Sequence, residues 1–160
     1  MSQAKIDGSL GFLLSNASMV LLRQLNRNFN ASGFDITKEQ WSLLICLLHQ
    51  EGETQSYFAE KTLKDKVSIT KVIDNLVKKK LVKRMPDEND RRVKRIYLTE
   101  QGKEIIPKLK KVAFASLEDA FIGINKNDLD NFKKVLSKIN LNLTGTDLLE
   151  FINNNKKRWK

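Results

Sequence analysis

The sequence is poor in the residues on which most catalytic, secreted and metal-binding proteins depend, with one cysteine, one histidine, two prolines and seven glycines in 160 residues. A lone Cys46 cannot close an internal disulfide and offers no repeated thiol spacing for a metal, which fits a reducing compartment. It lies in the apolar stretch from Leu43 to Leu48, where a buried inert thiol and an oxidation sensor are both open readings. His49 and Glu51, two positions apart, face different ways on a helix. With Glu53 they read as solvated or capping groups, not as a metal site. There is no phosphate-cradling glycine loop, no nucleophile elbow and no thiol–histidine pairing, so the expectation is a binding protein without enzymatic activity or cofactor. No run approaches the roughly 20 apolar residues that span a bilayer. Met1 to Gly8 lacks the basic and apolar pattern of a secretory signal, and a cytoplasmic location is expected. With few turn breakers, 41% hydrophobic and 30% charged residues, the chain reads as a single helix-rich globular domain able to bury a core.

What the chain has in excess is positive charge, +10 overall, and that charge is concentrated. Lys61 to Lys103 carries 14 basic against 6 acidic residues, a net of +8. The tail, residues 153–160, adds +4 through Lys156, Lys157, Arg158 and Lys160. The remainder is therefore at −2, and the partner implied for the central segment is a polyanion.

Periodicity supplies the elements. Leu10, Leu14, Ala17, Leu21, Leu25 and Asn28 fall on three- and four-residue steps and predict a helix from Ser9 to about Phe29. Ser32 to Asp35 breaks it. Thr37 with Gln40 is a capping-box signature for a second helix whose core face is Trp41, Leu44, Leu47 and Leu48, ended by Gly52. Thr54 caps a short third helix that buries Phe58. A fourth, at about residues 66–80, has the apolar stripe Ile69, Val72, Ile73 and Leu76. The period then changes: Leu81–Met85 and Val93–Leu98 predict two strands joined by a turn that ends in Arg91 and Arg92. Thr99 caps a long fifth helix carrying Ile106, Leu109, Ala113, Leu117, Phe121 and Ile124, with Pro107 kinking its first turns. A sixth, from about Lys126, repeats Leu129, Phe132, Leu136, Ile139 and Leu143 at heptad spacing. Gly145 stops it, and Thr146 caps a last short helix ending near Ile152.

The expected fold is mainly α with a small β-hairpin wing (α+β): a winged helix-turn-helix module at residues 37–98, flanked by dimerisation helices at 9–31 and 99–152. The recognition helix is about residues 66–80 and the wing about 81–98. Residues near the N-terminus of a helix laid in the major groove reach base edges, which selects Lys66, Ser68, Thr70 and Lys71. Thr54, Gln55 and Ser56 open the preceding helix and suit phosphate contacts, which position without specifying. Lys94 adds charge beside them. Arg91 and Arg92 suit a narrow minor groove, with Asp90 orienting one guanidinium; an ordinary turn salt bridge between Asp90 and Arg92 is the competing reading. Apolar surface beyond what a small core needs lies on three helices outside the module. It predicts a homodimer through Leu10, Leu14, Leu21, Leu117, Phe121, Leu129, Phe132, Leu136, Ile139 and Leu143, with intramolecular packing as the alternative for the heptad face.

Several separate motifs resemble the MarR (multiple antibiotic resistance regulator) family. Ile36-Thr37-Lys38-Glu39-Gln40-Trp41-Ser42-Leu43-Leu44 resembles its second-helix opening, and Thr54-Gln55-Ser56-Tyr57-Phe58-Ala59-Glu60 its first DNA-reading helix. Asp65 to Lys71 is similar to the start of its recognition helix. The most specific match is Asp87-Glu88-Asn89-Asp90-Arg91-Arg92 with Leu98-Thr99-Glu100-Gln101-Gly102, similar to its wing and the helix start after it. Three positions depart from the pattern. Leu63 and Lys80 stand where the family often has glycine, and Val67 replaces a small polar residue, a change that would shift base preference. The resemblance implies a homodimeric repressor of double-stranded DNA at a pseudo-palindromic operator, released by a small aromatic or anionic effector; no membrane partner is implied. The alternative is a nonspecific basic binder of nucleic acid or membrane surfaces, anchored by the tail with Trp159.

Overall fold

A computed structural model describes residues 8–154. The chain divides into two compact units, one up to Ala120 and one from Phe121 onward. The N-terminal pattern from Met1 to Asp7 and the basic tail beyond Asn154 lie outside the described residues.

The first unit begins with α1, Ser9–Ala31. Its buried residues are Leu25 and Phe29, and among the described residues the apolar side chains Leu10, Phe12, Leu13 and Leu14 of its first turns are exposed. α2 spans Lys38–His49, and Thr37 and Gln40 cap it reciprocally. The side chain of Thr37 accepts from the Gln40 amide at 3.2 Å, and Gln40 Oε1 accepts from the Thr37 amide at 3.1 Å. Two of the orphan donors of the first turn are thereby satisfied. α2 ends at His49, before Gly52, and buries Leu43, Leu44 and Leu47, with Trp41 and Leu48 partly buried against the core; Leu43 is the core residue that its sequence stripe did not name. The short α3, Gln55–Lys61, is capped by Thr54 and buries Phe58 and Ala59. α4, Lys66–Lys78, buries the anticipated Ile69, Val72, Ile73 and Leu76.

Strand β1, Glu53–Thr54, precedes α3. Strands β2, Val82–Pro86, and β3, Lys94–Leu98, follow α4. All three pair antiparallel in the order β1-β3-β2, with Thr54 opposite Arg95 and Pro86 opposite Lys94. The wing is thus a hairpin tied to the base of α3 by a third strand. Two residues are too few to show a period of two, which is why β1 is silent in the sequence. Helix α5, Glu100–Ala120, runs through Pro107 as one element. It stops short of Phe121 and Ile124, two residues expected on it. The core shared by α1, α2, α3, α4, α5 and the sheet includes Phe29, Leu43, Phe58, Ile73, Ile96 and Leu109.

In the second unit α6, Lys126–Thr144, starts on an Asn125 cap and ends on Gly145, whose φ of 72° is the left-handed turn that a glycine adopts without a Cβ clash. The last helix, α7, Leu148–Asn154, is held by Asp147, whose carboxylate accepts from the Leu149 and Glu150 amides. Asp147, rather than Thr146, caps it.

Among the described residues two non-glycine residues also adopt positive φ: Leu63 at 54°, between α3 and α4, and Lys80 at 58°, between α4 and β2. These are the positions where the related pattern carries glycine. The turns keep their left-handed geometry and the chain bears the Cβ strain. The side chain of Leu63 is 87% exposed, so little packing is lost on its removal. Leu63→Gly and Lys80→Gly should each raise stability by about 0.5–1 kcal/mol, relief of strain outweighing the added freedom of the unfolded chain. Thermal or urea unfolding of each variant checks the sign.

Candidate nucleic-acid interface

Helix α4 stands on its buried stripe, and the face opposite carries Val67, Thr70, Lys71, Asp74 and Lys78 at the three- and four-residue steps of one helical side. Lys66, Val67 and Lys71 are exposed. Asp65 caps the helix, its Oδ1 accepting from the Ser68 amide at 2.8 Å and its Oδ2 from the Ser68 hydroxyl at 2.6 Å. Those Ser68 contacts hold the Asp65 carboxyl below its ordinary range. The Thr70 hydroxyl donates to the Lys66 carbonyl at 2.6 Å and accepts from the Gln55 side-chain amide. The Gln55 bond locks α3 to α4. Neither hydroxyl retains a proton for an acceptor on another molecule. Of the acidic groups nearby, Asp74 is paired with Arg84 of β2 at 2.7 Å. Lys79 bridges to Asp35 at 2.9 Å and to the buried Gln40, fixing the end of α4 against the start of α2.

The wing tip is organised by Asp87. Its Oδ1 accepts from the amides of Asn89 and Asp90 at 2.8 and 3.0 Å, while its Oδ2 pairs with Arg95 of β3. Arg95 in turn donates to the Gly52 carbonyl at 2.8 Å, so tip, β3 and the β1 turn form one strut. The hydrogen bond from Arg95, reinforced by the two backbone amides, holds the Asp87 carboxyl at about 2. A carboxyl depressed in the folded state stabilises it above the unfolded value near 3.8 and loses that contribution as pH falls through the folded value. Asp87→Asn should therefore lower the melting temperature at neutral pH, and the gap to the parent should close between about pH 4 and pH 2. Melting curves across that range measure it.

Beyond the strut, Asp90 accepts from Arg92 Nε at 3.2 Å and from Nη2 at 3.4 Å. This is the expected forked pair, on an Arg92 side chain that is 92% exposed. Arg91 and Lys94 are exposed beside it. Thr54 and Gln55 are half-buried and Ser56 is exposed at the opening of α3. Thr54 uses its hydroxyl to accept the Tyr57 amide.

The structure thus brings Gln55, Lys66, Ser68, Thr70 and Lys71 together at the α3–α4 junction and sets Asp90, Arg91, Arg92 and Lys94 on the wing. Sequence reasoning missed Arg95 and Asp87, which order the wing. An acidic residue at the start of a turn was a usable signal for Asp87; its partner eight residues on was not. Glu51 accepts from the Leu98 amide at the end of β3 at 2.7 Å. Among the described residues no three histidine, cysteine or carboxylate groups gather as metal ligands, and no helix is long and apolar enough to cross a membrane. Burial pushes the Cys46 thiol up, with Lys61 opposing, the opposite of the shift that makes a cysteine reactive.

Residues 36–94 match the model of the MarR family. The chain is 24% identical over 116 residues to the HTH-type transcriptional regulator YybA of Bacillus subtilis, covering 72% of this chain and 77% of that protein. It is 41% identical over 76 residues to the regulator YhbI of the same organism, 47% of this chain and 49% of that one. Among solved structures, a MarR-family transcriptional regulator from Rhodococcus sp. RHA1 superposes with a TM-score of 0.75 at 27% identity, over 86% of this chain and 96% of its own. A mutant of MarR from E. coli complexed with operator DNA also reaches 0.75, at 22% identity, over 82% and 94% of the two chains. The motifs in the turn, recognition helix and wing, the family match that runs through them and the shared architecture agree: residues 36–94 match the MarR family, and the fold is that of MarR-family structures.

Proposed function

We propose that the chain is a transcriptional regulator that binds double-stranded DNA as a homodimer, with α4 in the major groove and the wing tip at the adjacent minor groove. The carrying observation is the outward side of α4, where Lys66 and Lys71 are exposed, the Asp65 carboxylate is engaged by Ser68 at the cap and Asp74 is paired with Arg84. Arg91 and Arg92 extend the same charge to the tip. The operator-bound MarR structure shares the fold, and the similarity to transcriptional regulators of Bacillus subtilis supports the same reading.

The dimer rests on apolar surface. Leu10 and Leu14 on α1, Leu117 on α5, and Phe132, Ile139 and Leu143 on α6 are exposed; Leu21, Phe121, Leu129 and Leu136 are half-buried. A second copy covering these faces would place two recognition helices for half-sites about 34 Å apart. The resemblance to the MarR family suggests a repressor at a pseudo-palindromic operator, released by a small aromatic or anionic ligand. The protein acts by binding, with no catalytic step. Selection from random duplexes should enrich one two-fold symmetric motif, and sedimentation should show a dimer. A pool without enrichment would overturn the reading.

A further inference from the structure

The outward side of α4 contains one residue that charge does not explain. Val67 is 64% exposed, in the first turn, on the side of the helix opposite Ile69, Val72, Ile73 and Leu76. No packing within the described chain accounts for a branched apolar side chain there, between two lysines. The polar neighbours that would otherwise read bases are engaged: the Ser68 hydroxyl proton goes to Asp65 and that of Thr70 to the Lys66 carbonyl. An apolar group at this place in a recognition helix has one matching feature in the major groove, the 5-methyl group of thymine, because every other group on the base edges is polar or a ring C–H.

We propose that Val67 is a specificity-determining residue that selects thymine at one position of each half-site by apolar contact with its methyl group. The assignment rests on the DNA-binding reading above. Lys66 and Lys71 would hold the helix to the phosphates on either side while Val67 reads the base between them.

The test uses the full chain and the duplex it selects from a random pool. Thymidine is replaced by deoxyuridine one half-site position at a time, which keeps every hydrogen-bonding group of the base edge and removes only the methyl. At one position the affinity should fall about fourfold per half-site, the value of one buried methylene-sized group, and about sixteenfold with both half-sites changed. Val67→Ala keeps the fold, since the side chain supports nothing in the core, and should bind the thymine and uracil duplexes equally. Equal binding of every uracil duplex by the parent protein overturns the assignment, as does a thymine preference that survives intact in Val67→Ala. A pool that yields no enriched site overturns the DNA-binding reading and this assignment with it.

Discussion

Gly102→Ala is expected to destabilise the protein by about 3 kcal/mol or more, because the added methyl has nowhere to go. A Cβ at this position would lie 2.1 Å from the Leu81 carbonyl oxygen, a backbone atom that no rotamer change can move aside. The close approach is built into the junction of α4, β2 and α5. The Thr99 amide donates to that same Leu81 carbonyl at 3.1 Å, and the Thr99 hydroxyl donates to the Lys80 carbonyl at 2.6 Å and accepts the Gly102 amide at 3.0 Å. The first turn of α5 therefore sits directly on the strand that carries the wing, and Leu81 and Leu98, both buried beneath it, complete the contact. Separating them would open the core under the hairpin. For a chain of this size the loss corresponds to a fall of about 6–12 °C in melting temperature. A Gly102→Ala protein that melts with its parent would show that the junction is looser than described.

The paired change Arg91→Ala with Arg92→Ala should do the reverse, leaving stability alone and removing binding. Arg92 is nearly fully exposed and its ion pair among the described residues is the surface contact with Asp90, a type of pair that contributes little to folding. Melting should stay within about 1 °C of the parent. Binding of the dimer to DNA should weaken by about a thousandfold or more, because each of the four arginines lost contributes on the order of 1 kcal/mol or more at a groove. In a dimer four cations are lost, so the slope of log affinity against log salt should become shallower by about 3–4. A slope that does not change would mean that the wing tip does not reach the DNA.

The helices and their starts were legible because each depends on residues within four positions of one another. The Thr37–Gln40 box, the Thr54 and Thr99 caps and the stripe from Ile69 to Leu76 are of this kind. The outlying halves of the long helices were legible as amphipathic but not as to partner. Leu10 and Leu14 have the spacing of core residues and yet both are exposed among the described residues. What escaped the sequence depends on pairs brought together by the hairpin or the helix junction. Asp87 with Arg95, Gln55 with Thr70, and the two-residue β1 against β3 have no local signature. The candidate DNA-reading residues were found by position on α4 and the wing. The direction in which their protons point was not, and it changes their roles: Ser68 and Thr70 brace the helix while Val67 and the lysines face outward. Leu63 and Lys80 show that the turns follow the fold, since they adopt the left-handed conformation even with side chains that disfavour it.

The most direct test of the central claim is a fluorescence-anisotropy titration of the full chain against its selected duplex and a scrambled duplex of the same composition, over a range of salt. A regulator reading bases through α4 should hold the selected duplex about a thousandfold or more tighter near physiological salt, while both affinities fall as salt rises. Equal affinity for the two duplexes at every salt concentration would contradict the account and leave only a basic surface that binds any polyanion.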